Sequence, residues 1–333
     1  MAPPLFIVGN DRSGTTMLRL ILDRGPDVAI PPESMFLTDL APRREAGGPR
    51  TPEETRALAA EVWRHPKVRL WELPGEPPEP PPGLVGPDGY RFAVEAPFLA
   101  YAALHGKPRW GDKTPHYVHH VDALLEVWPD ARFVVLVRDG RDVALSLKRM
   151  PFGPNNAWAA GPWWARGIRA GAEARRQHPD QVRIVRYEDI VADPDAQVRA
   201  ICGFLELTYE PAMLDLARAD RSRVVADQTS WFPTLFEGVN ARSTGRWQTE
   251  MSPRDQRLFA AHARAELEAS GYRVPDGAIT VSERRANWYR RHNQLKRNVN
   301  FVRLRVFQER GRELRFALAR RIADPLRRQR DAR

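Results

Sequence analysis

The chain has 333 residues, 42% of them hydrophobic and 28% charged, which excludes a disordered protein and leaves room for one large α/β domain or two ordinary ones. No apolar run approaches the ~20 residues of a membrane span, the start MAPPLFIVGN lacks the basic and long apolar stretches of a signal peptide, and the single Cys202 excludes an internal disulfide framework or a Cys-rich zinc site, so a reducing, cytoplasmic setting is expected. The net charge of +10 is unevenly placed: residues 281–333 hold 17 Lys+Arg and 5 Asp+Glu, whereas residues 1–280 hold 35 and 37.

In chain order, Leu5–Val8 is an uncharged apolar run of the kind that forms a buried parallel strand. Gly9-Asn10-Asp11-Arg12-Ser13-Gly14 is turn chemistry, and Thr15–Asp23 places Met17, Leu18, Ile21 and Leu22 at helical spacing before Gly25-Pro26 stops the helix. Leu73–Gly89 carries seven prolines and reads as a stiff, extended loop, either an insertion or a lid. Phe133–Val137 repeats the first pattern, with Arg138-Asp139-Gly140 as the turn and Arg141–Arg149 as the helix. Val182–Val185 is a third strand, followed by Tyr187-Glu188-Asp189, and residues 194–206, 209–218 and 253–270 read as amphipathic helices. Cys202 lies on the apolar side of the first of these, beside Ile201 and Leu205, as a core residue does. The alternation predicts a P-loop-like α/β fold: a central parallel sheet with helices on both faces, over residues 1–280, and a mainly helical extension at 281–333.

A strand that feeds a glycine turn and a helix N-terminus makes an anion site, because backbone N–H groups converge there and the helix dipole favours negative charge. Gly9-x4-Gly14-Thr15-Thr16 has Walker A spacing, but Thr15 stands where the triphosphate-binding lysine belongs. The second strand ends in Arg138, a cation where a magnesium-binding aspartate is expected. These features fit phosphate better than a metal–triphosphate complex; the competing reading is an ordinary βα turn.

Phe6-Ile7-Val8-Gly9-Asn10-Asp11-Arg12-Ser13-Gly14-Thr15-Thr16 resembles the 5′-phosphosulfate loop of sulfotransferases that use 3′-phosphoadenosine-5′-phosphosulfate (PAPS), and Phe133 to Ser146 resembles their 3′-phosphate motif. Pro32-Glu33-Ser34 is similar to the segment bearing a catalytic glutamate in the tyrosylprotein branch and in bacterial members. Trp110-Gly111-Asp112-Lys113-Thr114-Pro115 resembles a bacterial G-[DE]-K-T-P segment, Tyr187-Glu188-Asp189 the Tyr-Glu-Asp segment, and Arg242-Ser243-Thr244-Gly245-Arg246-Trp247 the late loop that closes on the nucleotide. The resemblance covers roughly residues 4–275. The sequence departs from the cytosolic small-molecule branch, which has lysine where Arg12 stands and a Lys-x-His catalytic pair absent here.

The resemblance implies metal-independent, in-line sulfuryl transfer, in which positioning and charge stabilisation dominate. Glu33, Lys113 and Arg12 are the implied catalytic residues: Glu33 accepts the acceptor's proton, Lys113 serves the bridging oxygen, and Arg12 holds the 5′-phosphate. Arg12, Ser13, Gly14, Thr15, Thr16, Arg138, Ser146, Tyr187, Ser243, Thr244, Gly245 and Arg246 are the implied PAPS-binding residues. Each has a plainer alternative: Glu33 as a cap for a helix near Met35, Lys113 as a surface lysine, Tyr187 as strand-end packing. His116, next to His119 and His120, is the second candidate for the base. Asp112 and Asp139 are weak metal ligands without a spaced partner.

The acceptor, a carbohydrate, a lipid or another small molecule, is not legible. Trp158, Trp163 and Trp164, then Trp231, Phe232 and Phe236, either line its pocket or pack the core. In 281–333, Val299, Val302, Val306, Phe307, Leu314, Leu318 and Ile322 alternate with arginines at roughly helical spacing, as in a basic amphipathic helix that packs on its own domain, on an oligomer partner, or at the inner membrane face. Since 47 of the 52 basic residues are arginine, arginine count is poor evidence for nucleic acid. The rival functions are a P-loop nucleotide kinase or NTPase, and a non-enzymatic membrane- or nucleic-acid-binding protein acting through its basic segment.

Overall fold

The computed structural model describes residues 2–304 apart from 149, 151, 219–235, 237 and 278. Five parallel strands, β1 (Leu5–Gly9), β2 (Val28–Ala29), β3 (Arg109–Lys113), β4 (Arg132–Val137) and β5 (Val182–Arg186), form one sheet in the order β2-β3-β1-β4-β5. The register sets Ile7 beside Lys113 and Gly9 beside Leu136, so the turns after β1, β3 and β4 leave the same edge of the sheet.

Strand alternation builds two apolar layers. Phe6, Val8, Phe133 and Val135 face one layer, where Phe6 stacks on Phe133 at 4.9 Å and meets Trp110 edge-on at 5.8 Å. That layer is covered by helices α1 (Pro52–Trp63), α2 (Gly86–Leu104) and α3 (Ala157–Gln177). Leu5, Ile7, Val134, Leu136 and Val185 face the other, under helices α4 (Thr15–Asp23) and α5 (Pro194–Leu205). Cys202 is buried there, as expected. Each fully buried aliphatic or aromatic side chain contributes roughly 1.5–3 kcal/mol.

The strands at Leu5, Arg132 and Val182 and the helices at Thr15, Gly140 and Pro194 stand where periodicity placed them. Residues 209–218 do not form a continuous helix. They make two 3-10 turns, Pro211–Leu214 and Leu216–Arg218, in which the Ala212 carbonyl accepts from Asp215 N (3.2 Å) and from the Arg24 guanidinium (3.1 and 3.0 Å) in place of a continued helix. Residues 253–270 split into α6 (Pro253–Ala260) and a second helix, Arg264–Ala269, and the bend lets Leu258, Phe259, Leu267 and Tyr272 reach one core.

Helix α3 was hidden by Gly161, Pro162, Gly167 and Gly171. Gly167 is there for close approach: a Cβ would lie 2.2 Å from the Asn10 side chain, whose amide donates to the Trp164 carbonyl at 3.0 Å. The proline-rich segment packs on α1 through Arg56–Glu79 and the Trp63–Gly75 bond, and none of its residues lines the cleft described below.

Residues 283–304 form one helix, α7 (Glu283–Leu304). Ala286 is buried, Tyr289 stacks on Trp158 at 6.0 Å, and the side chains of Asn293 and Asn156 bond to Asn155 N (2.7 Å) and Tyr289 O (3.0 Å). Val306, Phe307, Leu314, Leu318 and Ile322, like Trp231 and Phe232, lie outside the described residues.

Candidate active site

A cleft of about 1330 Å³ opens at the C-terminal edge of the sheet, where open α/β folds place ligands. Asp11, Arg12, Gly14, Thr15, Thr16, Glu33, Arg138, Ser146, Tyr187, Ser243 and Arg246 all line it.

The β1–α4 turn owes its shape to two left-handed residues, Arg12 (φ 69°) and Gly14 (φ 94°), which flank Ser13. At Gly14 a Cβ would meet the Tyr187 ring at 2.4 Å, so this glycine is fixed both by backbone and by the ring beneath it. No side chain caps α4 at Gly14, leaving the first amides of the helix directed at the cleft. The Ser13 hydroxyl is buried and has no hydrogen-bond partner among the described residues. A buried orphan of this kind calls for a ligand oxygen.

The first loop and the β4 motif are joined directly. Arg12 Nε donates to Ser146 Oγ at 3.0 Å, Arg138 Nη1 donates to the Arg12 carbonyl at 3.0 Å, and Arg138 Nη2 donates to the Ser243 carbonyl. The Arg138 guanidinium lies 4.7 Å over the Tyr187 ring, and its buried Nε has no partner among the described residues. Burial first, and then the nearby Arg138 charge, pull Arg12 down to about 10. It stays charged at neutral pH, and two cations brought together in a dry loop are relieved by an anion set between them. Around them, Asp142 accepts from the amides of Gly245 (2.7 Å) and Trp247 (2.9 Å), which ties down the late loop carrying Ser243, Thr244 and Gly245. Arg246 pairs with Glu250 at 2.7 Å. Asp139 is taken by the N-cap of its helix (Gly140–Leu147) and by Arg141, at 2.9 and 2.7 Å.

The second cluster sits on the β2–β3 side. Lys113, buried at the end of β3, reaches Glu33 Oε1 at 2.5 Å and Thr16 Oγ1 at 3.2 Å. Glu33 is held by its neighbours: Ile30 N donates to Asp23 at 3.0 Å, Ser34 N to Thr114 Oγ1 at 3.2 Å, and Met35 turns left-handed at φ 55°. Burial pushes the Glu33 carboxyl up, but the Lys113 ammonium, helped by Lys67 and Arg19, more than offsets this and holds it below the usual range. Asp11, unassigned by sequence, is raised to about 6 by burial and by Glu33. His116 turns away to His120, Nε2 to Nε2 3.3 Å, and is exposed.

Lys67, Arg166, Asn293 and Arg297 also line the cleft, and sequence reasoning missed them. Long-range folding brings them there; the only local signal was the rarity of lysine, since Lys67 is one of five. Of the aromatics, Trp163 lines the cleft, Trp164 is fully buried with Nε1 on the Arg138 carbonyl at 3.0 Å, Trp158 packs under α7, and Phe236 packs on the second apolar layer. No cluster of three or more His, Cys, Asp or Glu with metal-binding geometry occurs among the described residues.

Asp112 carries an electrostatic cost. It is fully buried, and burial raises it from 3.8 to about 6, a rise that the nearby Ser34 and Thr114 side chains and the Lys113 charge only partly offset. Its folded-state value lies above the unfolded one, so the folded chain binds this proton more tightly. Stability present below pH ~4 is lost as pH rises through about 6, by about 3 kcal/mol in all. Asp112→Asn is therefore expected to raise the denaturation midpoint at pH 8 and to have little effect at pH 4; equal shifts at both values would contradict this.

Comparison with known proteins bears on the family and the fold. The profile described as "Sulfotransferase family" matches residues 3–211, and that described as "Sulfotransferase domain" matches residues 154–271. Nodulation protein NoeE of Sinorhizobium fredii is 27% identical over 286 residues, covering 79% of this chain and 64% of NoeE. Protein-tyrosine sulfotransferase 1 of Danio rerio is 25% identical over 269 residues, covering 74% of this chain and 65% of the relative. The chain thus spans just under two thirds of the length of each of these two relatives. Among solved structures, the sulfotransferase domain of the Synechococcus PCC 7002 olefin synthase superposes with a TM-score of 0.53 at 22% identity, over 82% of this chain and 96% of that domain. The sulfotransferase domain from the curacin biosynthetic pathway gives 0.52 at 20% identity, over 83% and 99%; both show the shared fold. With the profile matching well over half of its residues, the chain belongs to the sulfotransferase family.

Proposed function

We propose that this chain transfers a sulfuryl group from PAPS to a hydroxyl or amine of a small acceptor, carbohydrate or lipid, with residues 1–280 carrying the chemistry and 281–333 an extension whose first helix forms one wall of the cleft. The observation that carries the reading is the position of Lys113, bonded at once to Glu33 and to Thr16 at the start of the phosphate-loop helix. An acid–base pair and an anion loop share one ammonium.

The residues fit the co-substrate. The orphaned Ser13 hydroxyl, the uncapped amides of Thr15 and Thr16 and the Arg12 guanidinium suit a 5′-phosphate. Arg138, whose Nε has no partner among the described residues, and Ser146 suit a 3′-phosphate; Tyr187, Ser243 and Arg246 wall the nucleotide side, with Thr244 and Gly245 in the same late loop. PAPS supplies the sulfuryl group together with a phosphate leaving group. Glu33 takes the acceptor's proton as the new O–S bond forms and the S–O bond to the phosphate breaks. Lys113 and Arg12 offset the charge left on the departing phosphate oxygens. In the free chain Lys113 depresses the basicity of Glu33; drawn toward the bridging oxygen, it would release Glu33 to act as base.

Incubation with PAPS labelled in its sulfuryl group and an acceptor panel should place label on a hydroxyl or amine. Label that stays on the nucleotide with every acceptor class, together with no binding of adenosine 3′,5′-bisphosphate, contradicts the reading. Arg138→Ala should weaken the bisphosphate roughly 10–150-fold by calorimetry, the range for hydrogen bonds to a charged group. The same substitution also frees the Arg12 and Ser243 carbonyls, so values near the upper end are expected.

A further inference from the structure

Helix α7 has two faces of different character. Its inner face holds Ala286, Tyr289, Asn293 and Asn300 against the domain, and Asn293 and Arg297 on the cleft. Its outer face carries Trp288, Leu295 and Val299, which are 58%, 65% and 64% exposed. Their spacings of seven and four residues put them in a single stripe along the helix. Arg284 and Arg291 flank that stripe on one side, Arg285 and Lys296 on the other; all four are exposed, and none has an ion-pair partner among the described residues. The helix holds seven basic residues and one acidic residue, Glu283.

We propose that the outer face of α7 docks on an anionic lipid surface. Two exposed aliphatic side chains and a tryptophan gain nothing from a phosphate backbone alone, but all three are buried at the boundary between headgroups and acyl chains. Arginine and lysine on either side lay their stems along that boundary and keep their charges among anionic headgroups. A tryptophan at the start of the stripe suits the interfacial depth. With the helix lying in the plane of the surface, the cleft wall formed by Asn293 and Arg297 stands about one helix diameter, ~10 Å, from the lipid. No helix among the described residues is long and apolar enough to cross a membrane, so this contact is a peripheral one.

The test is co-sedimentation of the full chain with phosphatidylcholine vesicles containing about 30% phosphatidylglycerol, against pure phosphatidylcholine, at ~0.1 M salt. Binding is expected to the anionic vesicles only. Trp288→Ser combined with Leu295→Ser should lower the partition constant at least about tenfold. Arg284→Ala with Arg291→Ala should lower it about fivefold per charge. Both pairs are surface substitutions, and both should keep the bisphosphate affinity of the unsubstituted chain, which reports an intact fold. The proposal is overturned if the anionic vesicles leave the chain in the supernatant, if neutral vesicles bind it equally, or if both double variants pellet like the unsubstituted chain. The last result would assign binding to residues 305–333 or leave the α7 face to a second copy or another protein.

Discussion

Glu33→Gln is expected to lower kcat by about 10²–10⁴-fold, the span attributed to a positioned general base, while affinity for adenosine 3′,5′-bisphosphate changes little. The glutamine keeps the shape and an oxygen that can accept from Lys113 Nζ, so the 2.5 Å contact and the segment from Ile30 to Met35 are preserved. Only the capacity to take a proton is removed. The pH dependence supplies a second readout. Lys113 holds the Glu33 carboxyl below its ordinary value despite burial. Glu33 is therefore ionised at neutral pH, and if it is the base proposed above, kcat/KM is lost only as pH falls below the ordinary glutamate range. Full turnover in Glu33→Gln would move the base elsewhere. His116 would be tried first, although it faces His120 and solvent rather than the cleft.

Lys113→Ala is expected to cost about 10²–10³-fold in kcat, as for loss of one preorganised donor aimed at developing charge. It also has a signature that a merely structural lysine lacks. With the ammonium gone, burial is opposed only by the weaker pulls of Lys67 and Arg19, and the acid limb of the pH–rate profile should move up instead of staying low. Lys113→Arg should not restore the rate, because a planar guanidinium cannot occupy the point between Glu33 and Thr16 that the compact ammonium fills. An unshifted acid limb in Lys113→Ala would separate the two residues and remove the coupling proposed here.

The elements that the sequence made legible are those whose own residues carry the signal. Leu5–Val8 and Phe133–Val137 are uncharged apolar runs, and each is followed by a turn whose arginine, Arg12 or Arg138, lines the cleft. The β3 strand was read only as a motif, because Arg-Trp-Gly-Asp-Lys has one large apolar residue; its polarity is answered at a distance, Arg109 by the Leu205 carbonyl at 2.5 Å and Lys113 by Glu33. Helix α3 was obscured by its glycines and Pro162, residues needed for close packing against Asn10 and the sheet rather than for helix propensity. Lys67, Arg166 and Arg297 come to the cleft from three separate segments, and nothing local marks a side chain whose role is set by the fold. The basic character of 281–333 was visible at once, but which side of α7 faces the domain depends on Asn155 and Asn156, far away in sequence.

The decisive measurement is isothermal titration of the intact chain with adenosine 3′,5′-bisphosphate, with and without magnesium, beside ATP and magnesium. Saturable one-to-one binding of the bisphosphate that magnesium does not alter, weakened in Arg138→Ala, is the predicted result. No heat from the bisphosphate, together with tight binding of ATP and magnesium, would contradict it and make the turn after β1 the loop of a nucleotide kinase or NTPase.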